Sequence, residues 1–193
     1  MQNLSEKLAL SKLPMNIIVA IDSRRGIGKN GDLPWHIPED LEYFYTKTLE
    51  TADPTKRNAV LMGRKVWESL PAEWCPLKDR VNVVLSSTMK QPVDRSCVVA
   101  RSFDDALSIL NRLGDSIETI WNIGGNQPYQ EALNSDQLCK LYVTFIEGDF
   151  DADTFFPDVD FEKFQRNDNS TTGKEHTYDG TKYRFEVFSV LRQ

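Results

Sequence analysis

Three glycines and one acid, close together near the start of the chain, are the residues best placed to do chemistry. They are Gly26, Gly28 and Gly31 in GIGKNGDLPWHIPED, and Asp40, which follows them. The glycines spell G-x-G-x-x-G, a turn that in a dinucleotide-binding unit opens directly into a helix whose N-terminus holds the pyrophosphate. Pro34 and Pro38 follow too soon for that. Proline turns itself and the residue before it away from a continuing helix, so Gly26 to Ile37 reads as loop and the match as a false fingerprint. The spacing predicts a helix that begins near Pro38 and runs through Leu41, Phe44, Tyr45 and Leu49. Its first turn carries Glu39, Asp40 and Glu42. By position alone these acids serve the helix dipole. A strand, a glycine loop, a Leu-Pro-Trp lid and an acid at a helix start can also build an active site.

Other polar groups gather where apolar runs end. NAVLM leads into Gly63-Arg64-Lys65, VNVVL into Ser86-Ser87, CVVA into Arg101-Ser102, and WNI into Gly124-Gly125-Asn126-Gln127. Ligands of open α/β sheets sit outside the carboxyl ends of the strands, where helix N-termini and loop amides favour anions. One such junction is a solvated loop; four together imply a phosphate-rich ligand spread along one edge. Ser102 and Asp105 form a helix-capping pair, opening a helix through Ala106, Leu107, Leu110 and Leu113. IETIWNI is a further strand, and a short helix with Pro128 near its start turns Tyr129, Ala132 and Leu133 inward. LCKLYVTFIEGDF and YRFEVFSVL alternate like antiparallel strands, joined by FFPDVDFEKFQ and a polar loop, NDNSTTGKEHTYDGT. The expected class is α/β: a single domain with one mixed, mostly parallel sheet flanked by helices.

Bulk properties narrow the partners. The 193 residues suit one domain with a core that needs no staples. A net charge of -6 argues against broad binding to nucleic acid or an anionic membrane. Three cysteines without paired spacing fit a reducing compartment, and two histidines, His36 and His176, leave few ligands for a metal. No run spans a membrane and no signal core precedes a cleavage site, so a soluble, cytoplasmic protein is expected. Residues 1–14 read as an extension with Leu4, Leu8 and Ala9 on one helical face; Glu6 and the lack of Arg argue against a transit peptide. The Asn3-Leu-Ser and Asn169-Ser-Thr sequons are then incidental.

GIGKNGDLPW, the acid-bearing helix with Phe44, MGRKVWESL, PLKDRVNVVLS, WNIGGNQPY, YVTFIEGDFDADTFFP and YRFEVF together resemble dihydrofolate reductase, in family order from Met15 onward. The resemblance implies a domain over 15–193 with a mixed eight-stranded sheet and four principal helices. It implies NADPH and dihydrofolate in one cleft, hydride transfer to the pterin ring, and antifolate-type inhibitors as ligands. Asp40 falls where the family keeps the single acid of its pterin pocket, with Thr144 as the hydroxyl that holds it. A pterin offers an amino group beside a ring N–H, a fork that a carboxylate accepts bidentately, and burial raises a carboxylate's pKa toward a useful range. Ile18, Leu41, Phe44, Leu70 and Ile123 resemble the apolar pocket walls, and Arg80 the partner of the glutamate-tail carboxylate.

On the cofactor side, Ala20 and the loop Gly26, Ile27, Gly28, Lys29, Asn30, Gly31 and Asp32 resemble the lid over nicotinamide, closed by Leu33 and Trp35. Gly63, Arg64, Lys65, Leu85, Ser86, Ser87 and Arg101 resemble the pyrophosphate and ribose-phosphate contacts. Gly124, Gly125, Asn126, Gln127 and Tyr129 resemble those at the other phosphate and the nicotinamide, with a cis peptide at Gly124-Gly125. Two features depart from the pattern. Val66 replaces a threonine, which removes a side-chain hydroxyl from the cofactor site. The aspartate and the short Trp35 to Tyr43 spacing are bacterial in type, whereas TFFP is animal in type. Two rivals share the scaffold: the pyrimidine reductase of riboflavin synthesis, and a catalytically silent nucleotide- or RNA-binding module. Asp40, Phe44 and Arg80 together favour a pterin with a glutamate tail.

Overall fold

A computed structural model describes residues 12–168 and 172–191. The helical face expected at Leu4, Leu8 and Ala9 lies outside these residues, as do Asn3 and Asn169 of the two sequons. The strands are β1 (Met15–Ile21), β2 (Gly26–Gly28), β3 (Arg57–Gly63), β4 (Val81–Leu85), β5 (Val98–Ala100), β6 (Ile117–Gly124), β7 (Leu138–Ile146), β8 (Thr154–Phe155), β9 (Phe164–Arg166), β10 (Glu175–Tyr178) and β11 (Thr181–Val190). The helices are α1 (Pro38–Leu49), α2 (Arg64–Ser69), α3 (Phe103–Arg112) and α4 (Asn126–Leu133).

Eight strands make the main sheet in the order β10-β11-β7-β1-β6-β3-β4-β5, and the short β9 pairs with β11 outside this path. From β7 to β5 every neighbour is parallel, while β11 runs antiparallel to β7 and β10. The mixed, mostly parallel sheet is the expected one. Its apolar runs are continuous because both faces are covered. In β3, Ala59 and Leu61 join the core beneath α3 and α4, whereas Val60 and Met62 join the opposite cluster, where Phe44 of α1 and Trp67 of α2 pack. Ile18 belongs to this second face, which places it under α1.

At the centre of the sheet two strands part. The β1–β6 ladder holds only from Met15↔Ile120 to Ile17↔Asn122. Beyond it β1 continues along β7 as far as Ile21↔Phe145, and β6 continues along β3 as far as Gly124↔Met62. A crevice therefore opens at the carboxyl ends of β1 and β6, where the strand order switches and where open α/β sheets bind ligands.

Two expectations change in detail. The segment read as loop from Gly26 to Ile37 contains β2, which pairs with β8 and then turns at Asn30 and Gly31, both at positive φ. That pairing needs glycine, because a Cβ at Gly26 would meet Ala152 and lie 2.6 Å from the Asp22 carboxylate. The polar loop read over NDNSTTGKEHTYDGT holds β10, turned onto β11 through Asp179 and Gly180, both at positive φ. Asp-Gly is itself a hairpin signal, obscured here by the polar composition around it. At α3 the predicted cap is present: the Asp105 backbone N–H donates to Ser102 Oγ at 3.1 Å, and the Asp105 carboxylate accepts from the Arg101 N–H at 2.8 Å. Ser102→Ala is expected to lower folding stability by about 1 kcal/mol in a denaturant titration, with the m-value unchanged.

Candidate active site

α1 enters over the crevice with Pro38 in its first turn and lowers Asp40 into the protein, leaving that residue 8% exposed. The predicted apolar stripe of α1 is not the buried side. Leu41 and Phe44 are half-buried and Tyr45 is 42% exposed. Beneath Asp40, Thr144 lies on β7 in register with Ala20 on β1 and is almost fully buried. Burial pushes the Asp40 carboxyl up to about 6, and a hydrogen bond from the Thr144 hydroxyl pulls it part of the way back. Among the described residues no cation contributes to that balance.

Around the acid the crevice is walled by aromatic groups. Trp35 is 8% exposed and meets Phe150 edge-on at 5.4 Å, and its indole Nε1 is buried without a partner among the described residues. Tyr129 of α4 donates from its hydroxyl to the Ile18 carbonyl at 2.9 Å, closing the gap where the β1–β6 ladder stops. Burial, and then the charge of Asp40, push the Tyr129 phenol upward. Gly124, at φ +101°, leaves room for that ring: a Cβ there would sit 2.7 Å from it. The Gly124–Gly125 peptide is cis.

On the outer side of α1 lies a cavity of about 520 Å³, its walls including Leu41, Tyr45, Trp74, Leu77, Lys78 and Arg80. Ile18, Phe44, Leu70 and Ile123 meet in one apolar cluster, which Trp74 joins. Arg80 is 5% exposed; its Nε donates to the Lys78 carbonyl at 3.0 Å, and its Nη2 is buried without a partner among the described residues. Burial moves the guanidinium below its ordinary pKa. A bound carboxylate would satisfy Nη2. Tyr45, read in the sequence only as part of the α1 stripe, and Trp74 are cavity walls outside the predicted pocket residues. No local pattern could have found them, because the wall forms only when residues 73–78 fold against α1.

The four junctions align along the sheet edge. Gly63 is in register with Leu85, and Leu85 with Ala100, the residue before Arg101; Met62 is level with Gly124 on the other side. Three strand spacings of about 4.8 Å give this row a span of roughly 14 Å. Neither α2 nor α4 has a capping side chain or an acid in its first turn, in contrast to α3. Their first-turn N–H groups and the exposed Arg64 and Lys65 thus make an anion-favouring edge. Val66 turns a methyl toward Gly125.

Several predicted contact residues also have partners within the protein. Arg64 pairs with Glu68 at 2.6 Å and reaches Thr88, and Arg101 Nη1 donates to the Ser86 and Met89 carbonyls. Ser86 Oγ accepts from the Met89 N–H at 2.9 Å, while Ser87 is exposed beside it. Asn126 donates to the Phe155 carbonyl, and Gln127 to Glu131. In the lid, Lys29 pairs with Asp151, the Asn30 N–H donates to Asp153, and Lys29 and Asp32 bond through their backbones. Ile27 packs on the core, and Leu33 stands 45% exposed, so Trp35 carries the packing of the lid.

The raised proton affinity of Asp40 has a consequence for stability. Its folded pKa of about 6 exceeds the unfolded value, so ionisation disfavours folding as pH rises, fully so above about 6. Asp40→Asn is expected to stabilise the protein at pH 8 by up to roughly 3 kcal/mol, and by little at pH 4, in denaturant titrations at both values.

Comparison with known proteins agrees with this geometry. A family model described as dihydrofolate reductase matches residues 14–190. The chain is 41% identical over 180 residues to the dihydrofolate reductase of Rattus norvegicus, covering 91% of this chain and 96% of that protein. It is 38% identical over 184 residues to the viral dihydrofolate reductase of Saimiriine herpesvirus 2, covering 93% of this chain and 86% of that protein. The solved Schistosoma mansoni dihydrofolate reductase superposes with a TM-score of 0.82 at 36% identity, covering 94% of this chain and all of that one. Matched in sequence and fold over nearly its whole length, the chain belongs to the dihydrofolate reductase family.

Proposed function

We propose that this chain reduces 7,8-dihydrofolate to 5,6,7,8-tetrahydrofolate with NADPH, in the cytoplasm and as a monomer, and so supplies one-carbon units for thymidylate and purine synthesis. The domain that does so spans residues 15–193, with residues 1–14 as an extension. The observation that carries the reading is the buried Asp40 at the parting of β1 and β6, whose carboxyl is raised to about 6. NADPH, when bound, supplies the hydride.

The residues present fit the dinucleotide. The anion-favouring starts of α2 and α4, with Lys65 and Arg64, would hold its pyrophosphate. Arg64, Ser86, Ser87 and Arg101 would hold the adenosine ribose and its phosphate, a charge that separates NADPH from NADH. Ala20, Gly124 and Tyr129 would border the nicotinamide.

Asp40 orients the substrate. Its carboxylate accepts from the amino group and ring N–H of the pterin, while the Thr144 hydroxyl fixes the carboxylate's rotation. With a proton affinity near neutrality it favours the protonated pterin, the form that accepts hydride most readily. Trp35 covers the site and offers a buried N–H to whatever is bound beneath it. Exclusion of water keeps the carboxylate in a low-dielectric surrounding, so that proton affinity is maintained through closure. Arg80 takes the glutamate carboxylate at the far end of the cavity, a partner that neither the riboflavin-pathway reductase nor a silent binding module requires.

Turnover measured as NADPH oxidation with dihydrofolate is expected to fall as pH rises through about 6. Asp40→Asn should reduce turnover at pH 7 by roughly 10²- to 10⁴-fold, with partial recovery at low pH and nearly unchanged NADPH affinity. Folded wild-type protein that oxidises no NADPH with dihydrofolate would refute the activity.

A further inference from the structure

Arg80 is held more tightly than a ligand-binding arginine at a cavity wall needs to be for its charge alone. Its Nε donates to the Lys78 carbonyl, and its Nη1 donates to Thr48 Oγ1 at 2.7 Å. The Tyr45 ring covers the guanidinium face at 4.8 Å. Thr48 is fully buried in the last turn of α1 and does not line the cavity. Its hydroxyl has one hydrogen, which goes to the Phe44 carbonyl at 2.8 Å, so an oxygen lone pair is left facing the guanidinium. The backbone at Thr48 is also fixed, because Asn58 of β3 donates to the Thr48 and Glu50 carbonyls at 3.0 and 2.8 Å.

A count of donors gives this arrangement a meaning. A guanidinium has five N–H bonds. The Lys78 carbonyl takes the only one on Nε, which closes the Nε–Nη2 edge to bidentate binding. Thr48 takes one of the two on Nη1. The remaining three are on Nη1 and Nη2, and Nη2 is the atom left buried without a partner. We infer that Thr48 is a positioning residue: it sets the rotation of Arg80 so that the Nη1–Nη2 edge is the one offered, which makes the cavity selective for a carboxylate carried on a glutamate beyond the benzoyl group over the shorter benzoate that ends pteroate. The inference rests on the reading that this cavity takes the glutamate-bearing end of folate.

Folate and pteroate, which differ only by the glutamate, test this by calorimetric titration of the wild type, Thr48→Val and Thr48→Ser, each with its melting temperature recorded. Wild type should prefer folate. Thr48→Val keeps the shape and removes the hydroxyl, and should lose about tenfold of that preference through weaker folate binding, while pteroate affinity changes less than twofold. Thr48→Ser, which restores the lone pair, should recover the preference. Thr48→Ala serves the same purpose if Thr48→Val does not fold. A folate-to-pteroate ratio that is unaltered in the Val or Ala variant, or a loss shared equally by both ligands, would overturn the role of Thr48 while leaving the proposed activity intact. Wild type that binds neither ligand would instead refute the reading of the cavity on which the inference rests.

Discussion

A carboxylate buried without a cation is the constraint around which this protein is arranged. Water is withdrawn from Asp40, and among the described residues the group that compensates its charge directly is the Thr144 hydroxyl. One hydrogen bond recovers only part of what solvation supplied. The first turn of a helix favours the charged form, yet burial outweighs both contributions and leaves the carboxyl at about 6. An acid with that affinity is half protonated at about pH 6, where an ordinary surface aspartate is almost fully ionised. A positively charged neighbour would stabilise the fold and remove this property.

The sheet provides the depth. Because β1 and β6 pair for only three residues before each follows its outer neighbour, the centre of a parallel sheet opens instead of closing over with hydrogen bonds. The exposed backbone of that opening has to be satisfied locally, and the Tyr129 hydroxyl does so at the Ile18 carbonyl. The lid is anchored beside the opening by Asp22, which accepts from the Arg24 and Gly26 N–H groups at 2.8 and 2.6 Å, and by the β2–β8 pairing. The same opening leads to the sheet edge, where α2 and α4 begin without caps. Acid, lid and anion-favouring edge are thus consequences of one break in one ladder.

Much of this could be read from the residues. Continuous apolar runs marked the parallel strands, Pro38 marked the start of α1, and Ser102 with Asp105 marked that of α3. Glycine, hydroxyl and positive charge at strand ends marked the edge that register then aligned. The depth of Asp40 could not be read locally. The helical stripe of Leu41, Phe44 and Tyr45 looked like a core face, but these residues stay partly open, and Leu41 and Tyr45 border a cavity. Periodicity finds the apolar side of a helix without distinguishing a packed core from a ligand wall. The resemblance singled out Asp40, which the fold buries, whereas Thr48 had no signal in the sequence. Its meaning comes from residues 32 positions apart meeting across the fold.

Direct titration of the Asp40 carboxyl carbon by ¹³C NMR, in wild type and in Thr144→Val, tests the balance on which the account rests. The wild-type carboxyl should titrate near 6 and should move upward in Thr144→Val, since the lost hydroxyl stabilised the ionised form. A wild-type value near 4, or a value that falls on removing the hydroxyl, would contradict the claim that burial, opposed by Thr144, sets the proton affinity of this acid.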